Sequence, residues 1–322
     1  MTRILSRAIG GFAGCVIIIT GCGPVHAQRF TSQAVAVRVD VLVTEGKKLV
    51  SGLTAADFEL RDAGVVQDVK QIDVEQLPLN LVLTVDTSQS VEGTRMTSLL
   101  DAARGLVGAL REPDRVALLS FSTRVRLLSP LSANRPQITA ALNQLSASGA
   151  TSLRDAVFSA LALRQDDPGR TLVLVFSDGN DTSSWLTTPK VMDAAKRTDA
   201  VVYAIGIRQQ GTYTGYTAAL SPLSRAPTVV NRTETIEQMG EFLRKVTEET
   251  GGRALFASTD KDLRSTFART LDEFRSRYVL SYTPTGVPST GWHPLSVKLK
   301  SKRGNVTARR GYVAEGVSPS SR

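Results

Sequence analysis

NLVLTVDTSQS, residues 80–90, decides how the chain is read. An apolar, β-branched run from Leu81 to Val85 ends in three oxygen-bearing side chains spaced two apart, Asp86, Ser88 and Ser90. A run of that kind reads as a buried central strand. The oxygens then fall in the loop leaving the strand's carboxyl end, where open α/β sheets place their ligand sites. One carboxylate and two hydroxyls suit a hard divalent cation, but Mg²⁺ takes about six oxygens, so this loop supplies only part of a site.

More oxygens lie farther along. Thr151, in SGATSLRDA, follows a glycine at the start of an expected helix, and Asp178 ends a second apolar strand in TLVLVFSDGND. With both elements wound in the same βα sense, these residues fall on the same sheet edge as Asp86. Taken in order, DTSQS at 86–90, Thr151 in ATSL and Asp178 in FSDG resemble the metal-ion-dependent adhesion site of von Willebrand factor A-type domains. The family pattern is Asp-x-Ser-x-Ser, then Thr, then Asp, and every position matches. DFELRDAG, EETGGRALF and RYVLSYTP are also similar to bacterial proteins related to von Willebrand factor A, many of unknown role. The resemblance implies a divalent cation, Mg²⁺ first with Mn²⁺ or Ca²⁺ as alternatives, held by Asp86, Ser88, Ser90, Thr151 and Asp178. It also implies a partner protein that offers an Asp or Glu to the metal. Charge agrees with this: two carboxylates and three hydroxyls little more than neutralise the cation, and an open position then favours an anionic oxygen from outside. The bland alternative is that these residues only cap helices and turns.

From 79 to 258 the pattern alternates βα throughout. Strands are expected at 80–86, 115–121, 124–128, 171–177, 200–206 and 253–257, with helices near 93–111, 135–146, 152–164, 188–198 and 233–249. The fold class that follows is α/β, a doubly wound, mostly parallel sheet with 124–128 as its antiparallel edge, of the von Willebrand A or Rossmann-like kind. The flanks read as β, with strands at 34–43, 56–61 and 64–74 before this region and at 277–283, 293–300 and 305–313 after it. Three strands leave an apolar face uncovered, so the flanks are expected to pack together as a small all-β sandwich. The domain scheme is then 28–78 and 277–315 for the sandwich halves, 79–276 for the inserted domain and 316–322 for a disordered tail. A helix over about 260–277, with Leu263, Phe267, Leu271 and Phe274 on one stripe and a Thr259–Asp262 capping box, joins the two regions without a linker. The resemblance implies that this helix transmits ligand binding. Segment 207–232 reads as a long irregular loop on the metal edge, where Arg208, Tyr213 and Tyr216 would contact a partner; a loop that merely covers the sheet is the equal alternative.

Residues 1–27 read as an export leader, with Arg3 and Arg7 ahead of an apolar segment too short to span a bilayer. Two processing sites compete. Val25-His26-Ala27 fits cleavage before Gln28, while Ile19-Thr20-Gly21-Cys22 resembles a bacterial lipobox, in which Cys22 would be lipidated and attach the protein to a membrane. Both cysteines, Cys15 and Cys22, lie in this leader, so no disulfide is expected in the mature chain. The expected location is outside the cytoplasm of a bacterium: periplasmic, attached to the outer membrane, or secreted.

The formal net charge is +9, densest at Lys298, Lys300, Lys302, Arg303, Arg309 and Arg310 in an apparent hairpin. Alternation there suggests a solvated sheet face, and export argues against a nucleic-acid partner. An enzyme is disfavoured. His26 would leave with the leader, His293 is far from Ser88 and Ser177, and there is no H-E-x-x-H, P-loop or G-x-S-x-G motif. Asn180 and Asp181 lie beside the site, Asp181 reading as a plain turn residue. The reading that results is an exported, cation-dependent protein-binding module. Its alternatives are a structural subunit of an envelope complex without metal dependence and, behind that, a metal-dependent hydrolase.

Overall fold

Leu81, Leu83 and Val85 point to one face of the central strand and Val82 to the other, and all four are buried. That alternation, apolar on both faces, requires helices above and below. The computed structural model describes residues 36–163, 169–207, 213–219, 228–234, 236–257, 259–300 and 303–315, with Gln76 and residues from 207 to 239 described by backbone alone. The expected leader with Cys22, the tail 316–322, Arg208 and Lys302 lie outside the described residues.

The first strands are β1 (Val37–Glu45), β2 (Lys48–Leu49), β3 (Phe58–Asp62), β4 (Val65–Gln67) and β5 (Lys70–Ile72). The alternating region follows as β6 (Leu79–Asp86), α1 (Thr94–Gly108), β7 (Arg115–Phe121), β8 (Val125–Ser132), α2 (Arg135–Asn143), α3 (Leu153–Ala162), β9 (Arg170–Phe176) and α4 (Thr188–Arg197). It continues through β10 (Val201–Ile207), β11 (Tyr213–Ala219), β12 (Thr228–Glu234), α5 (Ile236–Glu249), β13 (Ala254–Ala257) and α6 (Leu263–Arg275). The last strands are β14 (Tyr278–Tyr282), β15 (Gly291–Leu299), β16 (Asn305–Thr307) and β17 (Gly311–Ala314).

Six strands form one sheet in the order β13-β10-β9-β6-β7-β8, parallel except for β8 at the edge. Buried residues of α1, α2 and α6 share a core with one face, and those of α3, α4 and α5 with the other. The chain leaves β6 toward β7 on one side and later returns to β9 on the other. This places the topological switch, where such sheets open a crevice at their carboxyl ends, beside β6 and β9.

The flanks make two antiparallel sheets. One has the order β16-β1-β14-β5 with β2 on β1, and the other β17-β15-β3-β4. Each joins strands from both ends of the chain, Val39 opposite Leu280 in the first and Leu60 opposite Val297 in the second. Val39, Val41, Phe58, Leu60, Leu280 and Tyr282, drawn from both sheets, form one buried cluster. At its polar edge Asp62 accepts from Tyr282 Oη and Tyr312 Oη, both at 2.8 Å, and lies 2.8 Å from His293 Nδ1. Burial pushes both tyrosine hydroxyls above the usual range, which keeps them protonated donors to that carboxylate.

Three expectations need correction. The single strand read at 64–74 is two strands in different sheets, β4 on β3 and β5 on β14. The strand read at 305–313 is likewise divided, so the basic segment is no hairpin: β16 pairs with β1, while β15 pairs with β3 and β17. Neither hand-over, Asp68-Val69 or Ala308-Arg309-Arg310, carries a glycine or proline to mark it, and tertiary packing decides the change of sheet. Segment 207–232 is not wholly irregular, since β11 and β12 pair as an antiparallel ribbon, Tyr213 opposite Glu234 and Tyr216 opposite Asn231.

The parallel sheet meets the flanking sheets through a buried ionic junction. Arg277, between α6 and β14, is 1% exposed and donates to Gly251 O at 2.6 Å and Tyr203 Oη at 3.0 Å. Arg170 at the start of β9 pairs with Asp40 of β1, donates to Phe274 O and lies over the Phe274 ring. Arg253 faces Glu273 at 3.3 Å and Arg275 faces Asp114 at 2.9 Å. Among the described residues no helix is long and apolar enough to cross a membrane.

Candidate metal centre

β6 delivers Asp86 to the carboxyl edge of the sheet fully buried. Its Oδ1 accepts from the Ser88 backbone N–H at 2.8 Å, and its Oδ2 accepts from Ser177 Oγ at 2.9 Å. The first bond closes the tight turn that an Asp two residues ahead of a serine favours. The Ser88 and Ser90 hydroxyls converge to 2.9 Å of each other, so their oxygens share one small space.

Thr151 is brought to the same edge by backbone bonds. Gln89 N–H donates to Gly149 O at 3.0 Å and Ser148 N–H to Thr87 O at 2.8 Å, which ties the 86–90 loop to the loop before α3. Gly149 has φ of +83°, and a Cβ there would stand 2.6 Å from Thr123 Oγ1, so this crossing requires glycine. Thr151 N–H donates to Thr182 Oγ1 at 3.0 Å, while Thr151 O accepts from the Thr182 and Ser183 amides. The third loop, after β9, is thereby held against the second.

That third loop begins with Asp178. Its Oδ1 accepts from Asn180 N–H at 3.1 Å, but its Oδ2 is buried with no hydrogen-bond partner. A buried carboxylate oxygen left unpaired costs roughly 1–3 kcal/mol or more. Asp86 reports the same imbalance. Its own burial, and after that the negative charge of Asp178, push its pKa up to about 6, against hydrogen bonds from Ser88 and Ser177 that pull it down. Among the described residues no group of three or more His, Cys, Asp or Glu could hold a metal, so a cation here would depend on hydroxyl oxygens beside the two carboxylates. The donor set is all oxygen, which suits Mg²⁺, Mn²⁺ or Ca²⁺ rather than a soft metal.

Some partners escaped the sequence reading. Ser177 and Thr182 anchor Asp86 and Thr151. Asp181 is more than a turn residue, since its Oδ2 accepts from Arg154 N–H at 2.8 Å and Ser184 Oγ at 2.7 Å. The signal was the unbroken hydroxyl run 182–184 after Asp181, the densest such run near either carboxylate. Tyr213 and Tyr216 lie on the backbone of β11, and their side chains, like Arg208, fall outside what the structure describes. His293 lies in the flanking sheets with its Nδ1 on Asp62.

Residues 81–180, which include Asp86, Thr151 and Asp178, match the family model for the von Willebrand factor type A domain. A UPF0353 protein of Mycolicibacterium gilvum is 26% identical over 260 residues, 74% of this chain and 71% of that protein. Inter-alpha-trypsin inhibitor heavy chain H2 of Sus scrofa is 22% identical over 210 residues, 60% of this chain but only 22% of that protein's length. Among solved structures, the von Willebrand factor type A protein of Catenulispora acidiphila aligns with a TM-score of 0.48 at 12% identity, covering 89% of this chain and 75% of that one. The family match over residues 81–180 falls on the six-stranded sheet with helices on both faces, an α/β region similar to the von Willebrand factor type A domain.

Proposed function

We propose that the protein is an exported, divalent-cation-dependent protein-binding module. Asp86, Ser88, Ser90, Thr151 and Asp178 hold the cation, Mg²⁺ first, and a partner's Asp or Glu completes its shell. One observation carries this reading: Asp178 Oδ2 is buried and unpaired beside a second buried carboxylate whose pKa is pushed up to about 6. A bound cation supplies the positive charge that both carboxylates lack, and it offers its remaining position to an anionic oxygen. A Ser-His-Asp arrangement around Ser88 or Ser177 lacks its base, because His293 lies on Asp62 in the flanking sheets.

We read the two flanking sheets as one small sandwich with the α/β domain inserted at 79–276, outside the cytoplasm and held to a membrane if Cys22 is lipidated. A route from the cation loop to α6 supports transmission of binding to that sandwich. Arg95 Nη1 donates to Ser90 O at 3.0 Å, Arg95 Nε lies 3.9 Å from Asp260 Oδ1, and Asp260 opens the turn that leads into α6. Coupling then needs only that α6 take two positions, one favoured by the occupied site.

The test is thermal unfolding of chelator-treated protein with and without Mg²⁺. Free cation at about 100 times its dissociation constant is expected to stabilise the native protein by about 2.7 kcal/mol. Asp178→Ala abolishes this gain. An equal gain in wild type and variant would send the reading to the structural-subunit alternative.

A further inference from the structure

Trp185 is 93% exposed, whereas the other large apolar side chains that reach the surface lie between 37% and 52% among the described residues. The second tryptophan, Trp292, is 41% exposed, and the Lys196 ammonium sits 5.2 Å from its ring centroid. Single exposed apolar residues are ordinary, but an indole left almost wholly in water is not. Its backbone, moreover, is pinned. Trp185 N–H donates to Asp155 Oδ2 at 3.0 Å and Leu186 N–H to Asp155 Oδ1 at 2.9 Å. Ser184 is fixed by Asp181 through its amide and its hydroxyl. Leu186 turns inward onto the core of one sheet face while its neighbour turns out. The indole therefore stands on a rigid loop.

That loop is the one that holds Thr151. Thr182 and Ser183 bond to Thr151 on both sides of its peptide, and Trp185 follows two residues later. On the other side of Thr151, exposed Arg124 lies in the β7–β8 turn, whose Thr123 accepts from Ala150 N–H and Ser152 Oγ. The turn carrying Arg124, the loop carrying Thr151 and the loop carrying Trp185 are thus tied to one another at the sheet edge that bears Asp86. We propose that Trp185 is the apolar anchor of the binding face: it packs against an apolar or aromatic side chain that flanks, in the partner's sequence, the acidic residue completing the cation. This inference rests on the cation-dependent reading above. Tryptophan suits the role because it supplies a large contact area at the cost of ordering only two side-chain torsions, and it is enriched among residues that dominate binding energy. The cation would fix where the acid sits, and the indole would select what stands beside it.

The test uses a displayed peptide library with a fixed central Glu and random flanks, panned in Mg²⁺ on wild type, Trp185→Ala and Asp178→Ala. Wild type is expected to enrich peptides with an apolar or aromatic residue at one flanking position. Trp185→Ala should keep the Mg²⁺ and Glu requirement but lose that preference, with affinity for the enriched peptide about ten- to thirtyfold weaker. In a Trp292→Phe background Trp185 is the sole tryptophan, and its emission should shift to shorter wavelength as the peptide binds. Equal flank preferences in wild type and Trp185→Ala, or an unshifted emission, overturn the anchor and leave the cation site standing. If no Mg²⁺-dependent, Glu-dependent capture occurs on wild type, the cation reading falls, and the anchor with it.

Discussion

Opposite charges meet at the junction with the flanking sheets, and like charges meet at the carboxyl edge of the parallel sheet. At the junction Arg170 faces Asp40, Arg253 faces Glu273 and Arg275 faces Asp114, so these three carboxylates find a cation within the chain. At the carboxyl edge burial, and after it the negative charge of Asp178, raise the pKa of Asp86, and Asp178 Oδ2 has no partner. Both regions are buried and polar, and burial alone does not separate them. What separates structural from functional polarity here is whether the chain supplies the countercharge itself.

The largest effect is expected at the junction. Arg277→Ala removes a long, fully buried side chain and leaves Gly251 O and Tyr203 Oη without their donor, and the cavity and the lost hydrogen bonds together should lower the urea midpoint by an amount corresponding to about 3–5 kcal/mol. A loss under about 1 kcal/mol would mean that Arg277 does not hold the two regions together.

Next comes the pH dependence of the carboxyl edge. The folded chain holds the Asp86 proton more tightly than the unfolded chain, with a pKa up from 3.8 to about 6. Metal-free protein therefore gains stability from this group as pH falls from above 6 toward 4, by about 3 kcal/mol at 1.36 kcal/mol per pKa unit. With saturating Mg²⁺ this gain disappears, because the bound cation keeps the folded carboxylate ionised and the unfolded one is ionised as well above its pKa of 3.8. Chemical denaturation from pH 4 to 7.5, with and without Mg²⁺, checks both slopes against Asp86→Asn, which should remove the difference between them.

How much of this was legible in the sequence follows the same division. The βα alternation, the edge strand β8 and the stripe on α6 were readable, because each is written in local periodicity that burial then enforces. The hand-overs at 68–69 and 308–310 were not, since no glycine or proline interrupts Val65–Ile72 where it changes sheets. The β11–β12 ribbon was hidden by Gly211, Gly215, Pro222 and Pro227, which punctuate an otherwise Thr- and Tyr-rich stretch. At the candidate site the oxygen ligands stood out by spacing. Ser177, Thr182 and Asp181 did not, because residues that hold a ligand in place follow no fixed interval from it. Arg277 was equally hidden, for nothing local tells a buried arginine from the chain's many exposed ones.

A smaller effect tests whether α6 belongs to the open end or the closed one. The Thr259–Asp262 capping box orders the turn that carries Asp260, and Thr259→Ala should cost about 1 kcal/mol in thermal unfolding. If Asp260 reports on the cation loop through Arg95, the same variant also weakens Mg²⁺ affinity. An unchanged affinity would assign the helix start to structure alone.

The most direct test of the like-charge account is calorimetric titration of the metal-stripped protein with Mg²⁺, beside Asp178→Ala. The account predicts saturable binding of one ion per chain in the wild type and none in the variant. Identical isotherms for the two proteins would contradict it.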